Sequence, residues 1–317
     1  MRRKRSSPAG AHAVARRGPV RTVLLSLCAV LFAMVPVRAA YAERGELFAA
    51  VNGDVGNYAG SIYKYSSGGA QSTFASGLSR PRGIAFDSER NLFMASNFCN
   101  GRVCDATILT ITPDGEQSVF GAVRGHFAQG MAIDQLDNVF VVADNTGNAE
   151  SVIFSFTPDG RRKMFGMFRG QAMGLAFDAS GNLFAASPSN ATIYKFTPDG
   201  TRSVFVGPEA FTSDESGPQG LAFDRLGDLF VSVTVFPFTN NRIIKFDPRG
   251  AKSTFATGLK KPRGLVFDDV GDLYVAEWPD SEPGNIRRFT ADGASTLFAS
   301  GIGSSRSGGP TWLAIKP

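Results

Sequence analysis

Apolar and polar residues alternate in short runs along most of the chain, and glycine, proline and aspartate separate the runs. Residues 193–196 (IYKF) are a typical run, and the tetrapeptide TPDG at 197–200 follows them directly. Short alternating runs between turn residues predict β-strands, and no amphipathic stretch of helical period and useful length interrupts them. The pattern therefore predicts an all-β protein built from many short strands.

A five-residue pattern marks a repeat. It consists of glycine, an apolar residue, alanine or valine, phenylalanine or isoleucine, and aspartate. Its copies begin at Gly83, Gly130, Gly174, Gly220 and Gly264, at spacings of 47, 44, 46 and 44 residues. Three further apolar runs follow each copy, and a turn such as TPDG precedes the last one, because proline presets φ and glycine tolerates positive φ. Four short strands repeated at about 40 to 50 residues predict the blade of a β-propeller.

The two ends of the repeat region are incomplete and complementary. From residue 43 the chain supplies only the second, third and fourth strands of a blade, and residues 310–315 supply only a first strand. Joined, the ends complete one blade and close a ring of six four-stranded antiparallel blades without free end edges. A stacked solenoid is the structural alternative, and the complementary ends favour the closed ring.

Residues 1–42 form a leader of different composition. Seven basic residues precede an apolar run at 22–37, and residues 40–42 (AYA) match a small-x-small cleavage site. These features predict a secretory signal peptide, with the choice between Sec and twin-arginine export left open. An uncleaved membrane anchor is the alternative, but the run is shorter than the roughly 20 residues that span a bilayer. We therefore expect a signal peptide at 1–42 and a six-bladed propeller at 43–317. The exported product is expected to be a monomer in the periplasm or outside the cell, with no transmembrane segment.

Removal of the leader reverses the net charge. The chain has 33 Lys and Arg and 28 Asp and Glu. The leader holds eight of the basic residues and none of the acidic ones, so the remainder has 25 basic and 28 acidic residues and a formal charge of −3. The pI of about 9.2 therefore belongs to the precursor. Because a basic patch is the electrostatic signature of nucleic-acid binding, we expect no nucleic-acid partner.

The repeat resembles a known group of propellers. Residues 218–224 (PQGLAFD), 181–184 (GNLF) and 193–200 (IYKFTPDG) are similar to NHL repeats and to the related six-bladed SMP-30/gluconolactonase-like propellers, often grouped as TolB-like. The resemblance covers residues 43–317 and implies the fold. It implies function only weakly, because these residues build blades. In the gluconolactonase-like relatives a divalent cation in the channel, such as calcium or zinc, polarises a lactone carbonyl or activates water.

Two rings of residues are expected around the mouth of the channel, on the face where the chain enters each first strand and leaves each second strand. We call this the loop face. The first-strand ring is the residue before each first strand: Arg82, Gln129, Met173, Gln219, Arg263 and Thr311. The second-strand ring includes Asn52, Asn97, Asp144, Glu277 and Trp278.

Aromatic residues in the same loops favour binding over catalysis. They are Phe98, Phe127, Phe211, Phe236, Phe238 and Trp278. Beside arginines and glutamines such aromatics suit a small ligand, a glycan or a protein partner, although the loops can also fold down on their own aromatics. The expected ligand-binding residues are Arg82, Gln129, Gln219, Arg263, Asn97, Asp144, Glu277, Trp278, Phe98 and Phe236.

A metal-dependent lactonase of the gluconolactonase type is the alternative. Its ligands would be Glu277, Asp144, Asn97 and Asn52, none of which aligns with the family's ligands residue by residue. Two of them also have a structural explanation: Glu277 can pair with an arginine of the first-strand ring, Arg263 or Arg82, and Asp144 can begin a turn. A third possibility, a lyase, needs a metal held partly by His126, the single histidine after residue 42.

Cys99 and Cys104 are the only cysteines after residue 42. A zinc site lacks its other ligands, and the spacing is longer than in a Cys-x-x-Cys redox pair. In an exported protein the two are expected to form a disulfide. It would stiffen a loop of the second blade that carries Phe98 and Arg102 over the loop face.

Overall fold

The computed structural model describes residues 45–53, 59–101, 103–235, 241–279, 282–304 and 308–317. Its strands form six four-stranded antiparallel sheets, and the innermost strands contact one another in a closed cycle. The fold is a six-bladed β-propeller, as predicted. The signal-peptide prediction, Phe236, Phe238 and Arg102 lie outside the described residues. Within the described ranges no helix has the length and apolar character needed to cross a membrane.

Twenty-four strands make up the six blades. Blade 1 consists of β24 (Pro310–Ile315), β1 (Leu47–Val51), β2 (Ala59–Tyr65) and β3 (Gln71–Ser79). Blade 2 consists of β4 (Pro81–Phe86), β5 (Leu92–Asn100), β6 (Val103–Ile111) and β7 (Gln117–Val123). Blade 3 consists of β8 (His126–Ile133), β9 (Val139–Asn145), β10 (Glu150–Phe156) and β11 (Arg162–Arg169).

The other half of the ring repeats the arrangement. Blade 4 consists of β12 (Leu175–Phe177), β13 (Leu183–Ser187), β14 (Thr192–Phe196) and β15 (Arg202–Val206). Blade 5 consists of β16 (Glu215–Phe223), β17 (Leu229–Val235), β18 (Asn241–Phe246) and β19 (Lys252–Leu259). Blade 6 consists of β20 (Pro262–Phe267), β21 (Leu273–Glu277), β22 (Gly284–Phe289) and β23 (Ser295–Ile302). Short 3-10 turns occupy Pro188–Asn190 and Pro208–Ala210.

The two chain ends share blade 1. The last strand, β24, pairs antiparallel with β1, with Leu47 opposite Ile315 and Ala49 opposite Leu313. The Thr311 hydroxyl donates a hydrogen bond to the carbonyl of Ala50 at 3.1 Å. The predicted stitched blade is therefore confirmed, and it removes the two open edges that a linear array would leave.

Phenylalanines fill the space between neighbouring blades. Phe48 on β1 meets Phe74 of its own blade and Phe86 of the next blade edge to face, with ring centroids 5.0 and 4.9 Å apart. Phe140, Phe184 and Phe230 repeat this trio in blades 3, 4 and 5. Edge-to-face pairs add to the stabilisation from burial, so each trio of rings stabilises one interface between neighbouring blades.

The repeat glycine of blades 2 to 6 allows neighbouring first strands to approach closely at the channel. A Cβ at position 220 would lie 2.2 Å from the carbonyl oxygen of Arg263, and one at position 130 would lie 2.2 Å from that of Met173. No side chain fits there without moving backbone. The inner strands therefore converge tightly, and the residue before each glycine is brought to the channel mouth.

Candidate functional site

Five residues of the first-strand ring line one pocket on the channel axis. The lining consists of Arg82, Met173, Gln219, Gly220, Arg263, Gly264, Thr311 and Trp312. The structure therefore brings together Arg82, Gln219 and Arg263, which come from blades 2, 5 and 6. The pocket is narrow, because the backbones around it are nearly in contact. This narrow pocket and the residues at its rim are called the channel mouth below.

Arg82 is half-buried, and its Nε is fully buried with no hydrogen-bond partner among the described residues. Its guanidinium carbon lies 5.4 Å from the centre of the Phe127 ring, a cation–π distance. Burial, with smaller contributions from the positive charges of Arg263 and Arg80, lowers the pKa of Arg82 to about 10. Arg82 therefore lies among cations.

Arg263 occupies the same repeat position in blade 6. Its guanidinium carbon lies 5.1 Å from the centre of the Trp278 ring. Its carbonyl accepts a hydrogen bond from the Ser232 hydroxyl at 2.6 Å, and that hydroxyl accepts one from the amide of Gly220 at 2.8 Å. Ser232 is fully buried and fixes the backbone on which Arg263 stands.

Both arginines follow a strained residue. Arg80 and Lys261, each directly before a proline, have φ of 42° and 49°. A positive φ is uncommon for such side chains and costs of order 1–3 kcal/mol. In both cases a residue of the second strand holds the segment: the Ser96 hydroxyl donates to the Ser79 carbonyl at 2.9 Å, and the Lys260 amide donates to Glu277 Oε1 at 2.8 Å. Strained backbone thus sets the position of each arginine.

Gln129 and Asp144 bind each other instead of lining the pocket. The Gln129 side-chain amide donates to Asp144 Oδ2 at 3.1 Å. Asp144 Oδ1 accepts hydrogen bonds from the Ser151 hydroxyl at 2.7 Å and from the Ala172 amide of the next blade at 2.8 Å. Both carboxylate oxygens of Asp144 are therefore engaged, and the hydrogen bond from Ala172 joins blades 3 and 4.

Glu277 is fully buried and, like Asp144, makes structural contacts within the propeller. Besides accepting from Lys260, it forms an ion pair with Arg287 of β22, with Oε2 and Nε 3.4 Å apart. The sequence predicts Arg263 or Arg82 as the partner of Glu277. The partner found is Arg287, because residue 287 lies diagonally opposite residue 277 in the register of β21 and β22.

The two asparagines lie in different places. Asn97 is fully buried and bridges blades 2 and 3: its Oδ1 accepts from the Ala128 amide at 2.8 Å and its Nδ2 donates to the Ala128 carbonyl at 3.1 Å. Asn52 lines a separate pocket beside β2 and the end of β23, and its buried Oδ1 has no partner among the described residues. Asn97 therefore stiffens the rim of the channel mouth without facing a ligand.

The expected metal ligands do not assemble into an acidic cluster. In the described ranges no group of three His, Cys, Asp or Glu side chains is close enough to hold a metal ion. Asp144 and Glu277 already use their oxygens on amides, a hydroxyl and an arginine. The residues present do not fit the calcium or zinc site that the resemblance implies, because such a cation needs several free oxygen ligands.

His126, on which the lyase possibility depends, lies away from the channel mouth. Its ring packs edge to face on Phe154 at 5.3 Å, and its Nδ1 is 2.8 Å from the carbonyl oxygen of Arg124. It lines an outer pocket with Arg162 rather than the channel pocket. Phe211, expected on a loop, is buried against Phe246 with centroids 6.2 Å apart.

The hairpin of β5 and β6 carries the disulfide. Cys99 and Cys104 are directly opposite each other, and their sulfurs are bonded, as predicted. Phe98, beside the disulfide, is 69% exposed, and Val103 is 59% exposed. The disulfide therefore lies near the tip of a hairpin that displays apolar side chains.

Trp312 is the main residue at the pocket that the sequence analysis did not select. It stands where the five complete repeats have glycine, and this difference was the available signal. Arg80 was also missed. The parallel segments 79–83 (SRPRG) and 260–264 (KKPRG) would have shown that blades 2 and 6 share a basic segment absent from the others.

Solved structures similar to this chain are six-bladed propellers. A streptogramin B lyase matches with a TM-score of 0.58 and 13% identity over 86% of this chain and 87% of its own. A catalytically inactive histidine-to-alanine variant of virginiamycin B lyase from Staphylococcus aureus, solved with quinupristin, gives 0.55 and 15% over 80% and 84%. A gluconolactonase from Xanthomonas campestris gives 0.54 and 16% over 83% and 88%.

These identities carry the fold and not the activity. No protein-family model matches the chain, and neither does any curated protein sequence. The chain therefore shares the architecture of lyases and gluconolactonases, and its function has to be argued from its own residues.

Proposed function

We propose that this protein is an exported propeller, with its folded domain at 43–317, that binds a small ligand, a glycan or a protein partner at the channel mouth. The observation that carries the proposal is Arg82, whose buried Nε has no partner among the described residues. Buried polar groups in native proteins are almost always satisfied, so an unsatisfied donor beside a pocket favours a missing ligand. The NHL and SMP-30-like resemblance of the repeats agrees with a site on this face.

Export is supported by the Cys99–Cys104 disulfide, because such bonds persist in oxidising compartments. The leader at 1–42 supports it independently. Both point to the periplasm or the cell exterior. Mass spectrometry of the protein recovered from the producing cell tests this: the expected N-terminus is residue 43, and recovery of the full-length chain in the cytoplasm contradicts it.

Binding has a built-in optical probe. The chain has two tryptophans, and both are at the channel mouth: Trp278 against Arg263 and Trp312 in the pocket lining. A panel of neutral sugars, dipeptides and small carboxylates is titrated while tryptophan emission and the unfolding temperature are followed. At least one compound is expected to change the emission and raise the unfolding temperature, and Trp312→Phe should reduce the emission change. A panel without effect on either quantity contradicts the proposal.

The alternative is a metal-dependent lactone hydrolase, favoured by the likeness to a gluconolactonase. Its metal ligands would be Asp144, Asn97, Asn52 and Glu277. Side-chain oxygens of Asp144, Asn97 and Glu277 already accept hydrogen bonds from backbone amides, so these three residues are poorly placed to bind a cation. We therefore expect no lactone hydrolysis by chelator-treated protein supplied with calcium or zinc. Metal-dependent turnover that Glu277→Gln abolishes would replace the binding proposal with the alternative.

A further inference from the structure

The channel mouth concentrates positive charge. Arg82 and Arg263 line the same narrow pocket, and Arg80 is close enough to lower the pKa of Arg82. Like charges brought together in a partly desolvated place repel each other, and this repulsion is a cost to folding. A propeller has no structural need for it, since four of its six blades place uncharged residues at the same position.

The two acids of the second-strand ring, Asp144 and Glu277, are already engaged. Asp144 binds Ser151, Ala172 and Gln129, and Glu277 binds the Lys260 amide and Arg287. Neither carboxylate is among the groups that perturb Arg82. The positive charge of Arg82 therefore has no carboxylate to balance it within the described residues.

The two guanidinium groups are also held in place. The ring of Phe127 faces Arg82 and that of Trp278 faces Arg263, at 5.4 and 5.1 Å. Stacking on an aromatic ring orients the guanidinium plane and limits its movement. The strained residues Arg80 and Lys261 fix the backbone immediately before each arginine. Strain of this kind is typical of sites where geometry serves binding.

We infer that the channel mouth binds an oxyanion, the carboxylate or phosphate group of a small molecule, through the guanidinium groups of Arg82 and Arg263. This inference rests on the proposed function of the same face and gives its ligand a chemical class. An oxyanion accepts a hydrogen bond from the unsatisfied Nε of Arg82, and its negative charge offsets the repulsion between the two guanidinium groups. Such a group would bind at the rim of the channel mouth, because the pocket itself is too narrow to admit a water molecule.

Three compounds with the same aromatic ring test the charge requirement. Benzoate carries a carboxylate, phenyl phosphate carries a phosphate, and benzamide is neutral and similar in shape to benzoate. Each is titrated at constant ionic strength while tryptophan emission is followed. At least one anion is expected to bind about tenfold or more tightly than benzamide. The tighter of the two anions identifies the source as a carboxylate or a phosphate.

Substitutions test whether the two arginines are responsible for the affinity for anions. Arg82→Gln and Arg263→Gln should each weaken binding of the preferred anion about tenfold or more, and Arg82→Lys should restore only part of the affinity because it lacks the Nε donor. Arg161→Gln is the control with the same charge change, because Arg161 lies on an exposed turn with its side chain 82% accessible. Its affinity should equal that of the unaltered protein.

The outcomes separate the two claims. If benzamide or a neutral sugar binds at least as tightly as both anions, the oxyanion inference is wrong and the proposed binding function stands. If anions bind but Arg82→Gln and Arg161→Gln weaken them equally, the attraction is a general charge effect and the inference is again wrong. If neither the three probes nor the wider panel changes the emission, both claims fail together.

Discussion

The loop face contains two kinds of buried or half-buried arginine. Arg242 and Arg287 each face a fully buried glutamate, Glu215 and Glu277, with Nε and a carboxylate oxygen 3.4 Å apart in both pairs. Arg82, nearer the channel axis, faces Phe127 and other cations. The first kind balances its charge within the framework. The second kind leaves a charge to be balanced from outside, so the difference separates structural arginines from candidate binding residues.

The largest change in stability is expected when a carboxylate that pairs with a structural arginine is removed. Glu277→Gln should lower the free energy of unfolding by about 2 to 3 kcal/mol, because it leaves Arg287 without its counter-charge in a buried place. The midpoint of urea denaturation measures this. Glu282→Gln is the matched control, since Glu282 pairs with Lys260 at the surface with its side chain 55% exposed, and it should cost little. Equal costs for the two substitutions would show that Glu277 is not structural.

The disulfide hairpin is a third part of the same face and should be independent of both kinds of arginine. Loss of the Cys99–Cys104 bond should cost about 2 kcal/mol through the entropy of so short a loop, and the propeller should stay folded. Hydrogen exchange after reduction is expected to speed up at Phe98 and Asp105 alone. Faster exchange throughout blade 2 would show that the disulfide holds the blade and not only its tip.

At the channel mouth, a substitution is expected to increase the free energy of unfolding instead of lowering it. Arg82→Met keeps the side-chain stem and removes a charge that is buried among cations, so it should raise the free energy of unfolding by about 1 kcal/mol. For a domain of this size that is a gain of about 2 to 4 °C in the unfolding temperature. Arg161→Met provides the control and should change little. A loss of stability in Arg82→Met would mean that Arg82 supports the fold.

The smallest expected effect is the pH dependence of that gain. Arg82 has a pKa lowered to about 10 in the folded state, below its ordinary value of 12.5, so the unfolded chain binds its proton more tightly. Its charge therefore destabilises the fold fully below pH 10, and this penalty fades as the pH rises further. The difference in unfolding temperature between Arg82→Met and the unaltered protein should stay constant up to about pH 9 and narrow as the pH is raised to 11. A constant difference would contradict the lowered pKa.

Much of the fold follows from the sequence because a few local rules are repeated in every blade. The glycines of the five-residue pattern, the aspartate turns and the phenylalanine positions each indicate the same element several times over. Asp134 shows the local basis: its Oδ1 accepts from the amides of Leu136 and Asn138, and its Oδ2 accepts from the Asn138 side chain. Such contacts lie within four residues, so sequence alone reveals them.

The site could be predicted only in part, because its contacts cross blades. The repeat placed Arg82, Gln219 and Arg263 at the channel, as found. The repeat did not show that Asp144 binds the amide of Ala172 from the next blade, or that Glu277 meets Arg287 diagonally across two strands. These contacts depend on the exact approach of backbones, and they turn candidate metal ligands into structural residues.

The most direct measurement is NMR of the arginine Nε–H groups during titration with benzoate or phenyl phosphate, whichever binds more tightly. The Arg82 signal, assigned by its loss in Arg82→Lys, should shift as its buried Nε gains an acceptor, and the shift should saturate with the tryptophan emission change. The Arg287 signal should stay in place, because its counter-charge is Glu277. An Arg82 signal that does not move while the probe binds would contradict the account.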